Sequence, residues 1–196
     1  MRRRVHRLVV APLLAATLAA GPAARLAAGA ETVEWTSLAG DSSLEFSAYY
    51  EGEELPGRFE RFSVTLHTDG VAGAPRSLLV EVATGSADMN DREINAEIAE
   101  PEWFAAYVFP TARFESSDIE AGDAGYLARG RLELKGLERT LELLLTWSPA
   151  NGTGELTGSL RMSRLDWRIG TGEWANDASL SDRVDLRWRV RMAPSR

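Results

Sequence analysis

The sequence predicts an all-β domain: an antiparallel barrel or sandwich of about eight strands with one short helical insert. Three observations predict it. Apolar residues recur at every second position in run after run, clusters of glycine or Asp/Ser/Asn part the runs by hairpin-length gaps, and helical spacing appears in one stretch only.

The first thirty residues stand apart from this pattern. Arg2, Arg3, Arg4 and Arg7 precede an apolar run from Leu8 to Ala20, and Ala28-Gly29-Ala30 is a small-x-small cleavage site. This is the layout of a secretory signal peptide. Pro12 and Gly21-Pro22 interrupt the run before it reaches the roughly 20 residues that a membrane-spanning helix requires. Arg3-Arg4 leaves twin-arginine export open. The expected mature unit is residues 31–196, one domain, periplasmic or secreted.

Within that unit Leu44, Phe46, Ala48 and Tyr50 alternate with polar neighbours, and so do Phe62, Val64 and Leu66 before the turn "TDGVAG". Leu78, Val80 and Val82 make the next face. The stretch from Asp91 to Ala99 changes period: Ile94 and Ile98 lie four apart, which predicts a short helix capped by Asp88, Asn90 or Asp91. Pro101 predicts a second helical turn through "EWFAA". Strand spacing then returns at Tyr126, Ala128, Leu132 and Leu134, and at Leu141, Leu143, Leu145 and Trp147. The last strand alternates most cleanly, with Val184, Leu186, Trp188, Val190 and Met192 facing inward and Arg187, Arg189 and Arg191 facing water.

The glycines favour the barrel over the sandwich. Gly130, Gly136, Gly158, Gly170 and Gly172 fall in or beside strand-like runs, where glycine marks a bulge, a corner or a close approach. In "RMSRLDWRI" the apolar phase slips from Leu160 and Met162 to Leu165, Trp167 and Ile169, as across a bulge. Curvature of this kind closes a barrel, and a barrel of about eight strands can hold one ligand.

Composition excludes several functions. Removing the five leader arginines from 22 basic residues leaves 17 against 29 acidic ones, a net charge of about −12 that disfavours nucleic acid and anionic membrane. The chain has no cysteine, which removes thiol catalysis, disulfides and thiolate metal sites together. His67, the sole histidine after the leader, lies on the polar face of its strand, so neither a Ser-His-acid triad nor a histidine metal site is expected. The acid pairs Asp88/Asp91 and Asp166/Glu173 read as caps and surface charge. No catalytic residue and no cofactor are expected.

Aromatic residues remain. Phe46, Phe59, Phe62, Trp103, Phe104, Phe109, Phe114, Trp147, Trp167, Trp174 and Trp188 fall on or beside inward positions. Two readings stay open: a packed core, or the wall of a cavity for an apolar guest in which glycines give clearance.

Four stretches in order, "ELPGRFERFSVTLHTDG", "MNDREINAEIAEPEWFAAYVFPTARFESSDIE", "YLARGRLELKGLERTLELLLTW" and "RLDWRIGTGEW", resemble the YceI-like family of bacterial periplasmic proteins. The most specific elements are Gly57-x-Phe59, Asp91-Arg92, Trp103-Phe104 with Phe109-Pro110 and Phe114-Glu115-Ser116, and Gly130-x-Leu132 with Lys135-Gly136. The resemblance runs from about Ser42 to Met192. It implies an extended, lipocalin-like, eight-stranded antiparallel barrel whose interior holds a long polyisoprenoid chain, a quinone or a polyprenyl phosphate, in a carrier or storage role, with stress responses and membrane cytochromes of the b561 type as context. On this reading Phe46, Phe59, Phe62, Trp103, Phe104, Phe109, Phe114, Trp167, Ile169 and Trp174 line the guest's path, and "LDWRIGTGEW" is a bulged strand and turn. The alternative is an interaction module that docks on a membrane cytochrome. A dimer is open under either.

Overall fold

Alternating sequences of this kind can bury one face only by curling the sheet on itself, and the computed structural model shows that closure. It describes residues 31–176 and 178–195; the expected signal peptide lies outside the described residues. The strands are β1 (Thr32–Ser37), β2 (Ser43–Tyr50), β3 (Glu53–Phe59), β4 (Phe62–Asp69), β5 (Pro75–Ala83), β6 (Ala87–Asp88), β7 (Thr111–Gly122), β8 (Gly125–Leu134), β9 (Leu137–Ala150), β10 (Thr153–Ser163) and β11 (Arg183–Pro194). One short helix, α1 (Arg92–Glu97), interrupts them. Strand order β1-β4-β5-β7-β8-β9-β10-β11 returns to β1 through a β1–β11 pairing, a closed barrel of eight antiparallel strands.

The seam has a second feature. β11 pairs with β1 along its C-terminal end (Ser37 opposite Met192) and with β2 along its N-terminal half (Ser43 opposite Arg189, Ser47 opposite Asp185). β2 continues to β3, and β3 meets the short β6 beyond β5. The wall is therefore extended at one end by β2, β3 and β6. This is the extended barrel that the family resemblance implies.

Connections divide unequally between the two ends. At the floor, hairpins join β4 to β5, β7 to β8 and β9 to β10; the last turns on Asn151 and Gly152 at φ 52° and 77°, the two left-handed residues of a type I′ turn. At the mouth lie two long connections, residues 84–110 and 164–182. A barrel built this way has a rigid base and a rim made of loops.

The floor is packed. Trp35, Leu66 and Met192 are fully buried, and Trp147 meets Trp35 edge to face with centroids 5.0 Å apart. Trp35 Nε1 donates to Thr68 Oγ1 at 2.9 Å, which satisfies the indole inside an apolar layer. Several glycines make room for inward-facing rings: a Cβ on Gly154 would overlap the Trp147 ring, one on Gly158 the Trp188 ring, and one on Gly130 the Phe114 ring. Glycine is required there because a neighbouring ring lies flat on its backbone.

Most of the expected strand faces are observed, including the outward Arg187, Arg189 and Arg191. His67 is half-exposed, with Nε2 3.3 Å from Glu34 and Nδ1 3.1 Å from Ser77 Oγ. Asp91 caps α1, its Oδ1 accepting from the Glu93 and Ile94 amides at 2.8 and 3.0 Å.

Three local expectations are corrected. The segment after Pro101 forms a chain of turns, not a helix, with the Trp103 and Ala105 amides both donating to the Glu100 carbonyl. β10 ends at Ser163, so the phase slip before Trp167 is the end of a strand, not a bulge. "LDWRIGTGEW" is two 3-10 turns (Leu165–Trp167 and Gly172–Trp174) joined through Arg168 and Gly170 at φ 54° and 73°. Bulges occur instead in β4–β5 near Thr68 and in β7–β8 near Ser116.

Candidate functional site

The inward faces of β2, β8, β10 and β11 carry Leu44, Phe46, Leu132, Met162 and Leu186, and above the packed floor these side chains do not meet across the axis. They leave two stacked spaces. The upper chamber has a volume of about 530 Å³, within the roughly 300–1,000 Å³ usual for small-molecule sites. The lower, of about 120 Å³, is lined by Phe62, Val64, Phe114, Leu143 and Trp188 among others. Leu44, Val82, Leu132, Met162 and Leu186 line both, so the two form one tube narrowing toward the floor.

Aromatic contacts shape the upper chamber. Phe46 meets Phe59 at 5.2 Å and Phe59 meets Phe104 at 5.8 Å, a continuous ring-lined wall. Phe46 lies over Gly57, its register partner, where any Cβ would overlap the ring. At the rim Trp174 contacts Tyr50 at 6.4 Å and Trp103 at 5.8 Å. One face of α1 completes the opening, with Ile98 buried and Glu93, Ile94 and Glu97 exposed. Glu97 Oε1 accepts from Trp103 Nε1 at 3.2 Å.

Polar bonds hold the rim together. Arg164, only 3% exposed, sends every guanidinium N–H to a backbone carbonyl: Nε to Ser181, Nη1 to Ile169 and Gly170, Nη2 to Asn176 and Leu180, at 2.8–3.1 Å. One buried side chain thus organises the whole connection from 164 to 182. The Glu102 carbonyl ties that connection to the other, accepting from the Gly170 and Thr171 amides at 2.9 and 3.1 Å. Lys135, in the β8–β9 turn, donates to Glu102 O and Arg168 O at 3.2 and 2.6 Å. Partial burial, and then the Arg168 charge, lower its pKa below the ordinary lysine value.

The structure distributes the predicted lining residues unevenly. Phe46, Phe59, Trp103, Phe104, Ile169 and Trp174 line the upper chamber, and Phe62 and Phe114 the lower. Phe109 and Trp167 line neither. Phe109 lies against Gly136, and Trp167, 1% exposed, sits beneath the Arg139 guanidinium, 5.8 Å from its ring centroid, as the anchor of its 3-10 turn. The sequence reading passed over Leu55, Met89, Arg164 and Leu180, which also line the chamber. β3 offered little signal because Pro56 and Gly57 break its alternation. An arginine inside an otherwise apolar phase, as at Arg164, was the available clue to the rim.

On the outside, Asp185 ties β2, β10 and β11 together. It accepts from Arg161 Nε and Tyr49 Oη at 2.8 Å each and pairs with Arg183, which also stacks on the Tyr49 ring. The Arg183 hydrogen bond, with those of Arg161 and Tyr49, holds the Asp185 carboxyl far below the usual carboxylate range.

A closed antiparallel barrel with a blind apolar tube and a looped mouth defines a barrel-type binding protein. Its family is shown by sequence: the YceI-like domain matches residues 35–192, and the chain belongs to that family. Among solved structures it is similar to BcnA of Burkholderia cenocepacia, with 27% identity, TM-score 0.74, and 79% of this chain and 98% of that one covered. It also resembles the YceI protein of Campylobacter jejuni, with 16% identity, TM-score 0.66, and coverage of 74% and 86%. A third is a polyisoprenoid-binding domain from Saccharophagus degradans implicated in plant cell wall breakdown, with 12% identity, TM-score 0.63, and coverage of 82% and 98%. A search of curated proteins finds no match.

Proposed function

We propose that this protein is an exported carrier or store for a long-chain polyisoprenoid, a quinone or a polyprenyl phosphate, whose tail lies inside the barrel. The observation that carries the reading is the two-part tube, apolar along its length and closed below by Trp35 and Trp147. A tube suits a flexible chain better than a compact solute. Each five-carbon unit contributes about 4 kcal/mol gross at roughly 0.8 kcal/mol per carbon. Ordering the tail takes back a large share, yet several units still give firm retention without a charged contact. The polyisoprenoid-binding domain of similar fold supports the same guest class.

The leader pattern supports action outside the cytoplasm, in the periplasm or secreted. Binding rather than catalysis is proposed because the chamber walls are aliphatic and aromatic, its carboxylates Glu93 and Glu97 lie exposed at the rim, and Arg164 is committed to backbone carbonyls. The test is mass spectrometry of an organic extract of protein purified from its own exporting compartment, beside native mass spectrometry of the intact species. The expected result is one isoprenoid per chain. A clean apo mass, with no uptake of offered quinone or polyprenyl lipid, would overturn the reading in favour of a module docking on a membrane cytochrome.

A further inference from the structure

The carrier reading leaves two headgroups, a neutral ring or alcohol and an anionic phosphate. Resting on that reading, we infer that the mouth selects an isoprenoid with an uncharged head and refuses the phosphate, through Glu93 and Glu97 on α1.

A tail seated against the floor places its head at the rim, where Glu93 and Glu97 are both exposed and both line the chamber, one helical turn apart. The segment from 88 to 102 that carries them holds Asp88, Asp91, Glu93, Glu97, Glu100 and Glu102 against Arg92 alone. An anion here meets like charge at a low-dielectric wall, where repulsion is stronger than in open water.

Among the described lining residues two acids outnumber one cation, and the donors of that cation are engaged. Arg164 is the basic residue that lines the chamber, and its five N–H groups already donate to five carbonyls. Lys135 is held by Glu102 O and Arg168 O, and Arg58 by Asp88 at 2.6 Å. The Thr84 hydroxyl donates to Phe109 O at 2.7 Å, and the Trp103 indole N–H donates to Glu97. Among the described lining residues the Tyr50 hydroxyl remains as a donor, one neutral O–H where a phosphate cradle needs several charged or convergent donors. A quinone ring or a prenyl alcohol needs none of them and gains the Trp103, Trp174 and Tyr50 rings.

The experiment compares two lipids with the same twenty-carbon tail, geranylgeraniol and geranylgeranyl phosphate, by competition against a fluorescent apolar probe at low and high salt. The alcohol is expected to bind at least tenfold more tightly at low salt, with the gap shrinking as salt screens the exposed acids. A Glu93→Gln, Glu97→Gln double variant, checked for an unchanged urea midpoint, is expected to narrow the gap to less than threefold. Glutamine keeps an acceptor for Trp103. Equal affinities in the wild-type protein, or a gap that neither salt nor the double variant alters, would overturn the charge selection while leaving the carrier reading standing. Failure of both lipids to bind would overturn the carrier reading and the selection with it.

Discussion

The two ends of the barrel are built from the same residue types and do opposite things. At the floor, Trp35 and Trp147 meet edge to face, Trp147 lies flat on the Gly154 backbone, and the interior is full. At the mouth, Phe46, Phe59, Phe104, Trp103 and Trp174 touch one another along the wall but face an opening of about 530 Å³. An aromatic residue becomes core or wall according to what stands opposite it across the axis. At the floor β1 closes the ring and brings Trp35 across; at the mouth β2 and β3 replace it, and the ring widens. The floor holds itself by apolar contact and the mouth by hydrogen bonds to backbone carbonyls.

The largest test of this contrast is Trp35→Ala. It should cost about 3–5 kcal/mol, read as a lower urea midpoint, because a close-packed layer cannot collapse into the gap. A loss under about 1 kcal/mol would show that the floor is not a packed plug. A paired comparison sharpens the contrast within one residue class. Trp167→Ala should lower stability by about 3 kcal/mol while sparing uptake of an apolar probe, since Trp167 is buried away from both chambers. Phe59→Ala should do the reverse, costing under about 1.5 kcal/mol while weakening probe binding several-fold, because its ring already borders empty space. If the two variants behave alike, the division between core and wall fails.

The smallest effect belongs outside the barrel. Because the folded pKa of Asp185 is depressed, its contribution is present above the unfolded value of about 4 and is lost as pH falls toward the folded one. Asp185→Asn should therefore cost under about 1 kcal/mol at pH 7, after allowing for solvent screening, and progressively less below pH 4. Chemical denaturation at pH 7 and pH 3 checks the sign. An equal deficit at both would break it.

Much of this fold was legible because a strand with one wet face writes its orientation into every second residue. β11 shows it from Val184 to Met192. The same signal says which way Phe46 and Trp147 point but not whether a partner or a space lies across from them, which depends on height along the axis. That is why the predicted lining ran together chamber residues such as Phe59 with the buried anchor Trp167. Gly130 and Gly158 misled in a related way: a glycine beneath a ring and a glycine beside a guest look alike in sequence. Long connections were the least legible part, since the carbonyls that gather on Arg164 are main-chain atoms and leave no side-chain pattern to read.

The closed floor also decides how traffic must run. A tube open at one end has a single doorway, so a guest leaves tail last by the route it entered, and a second cannot follow until the first has gone. Under the proposed carrier role, loading and delivery share one path, and the direction of net transfer follows from the relative appetite of donor and acceptor, not from any sense built into the barrel. Residence time rises with every carbon drawn below the rim.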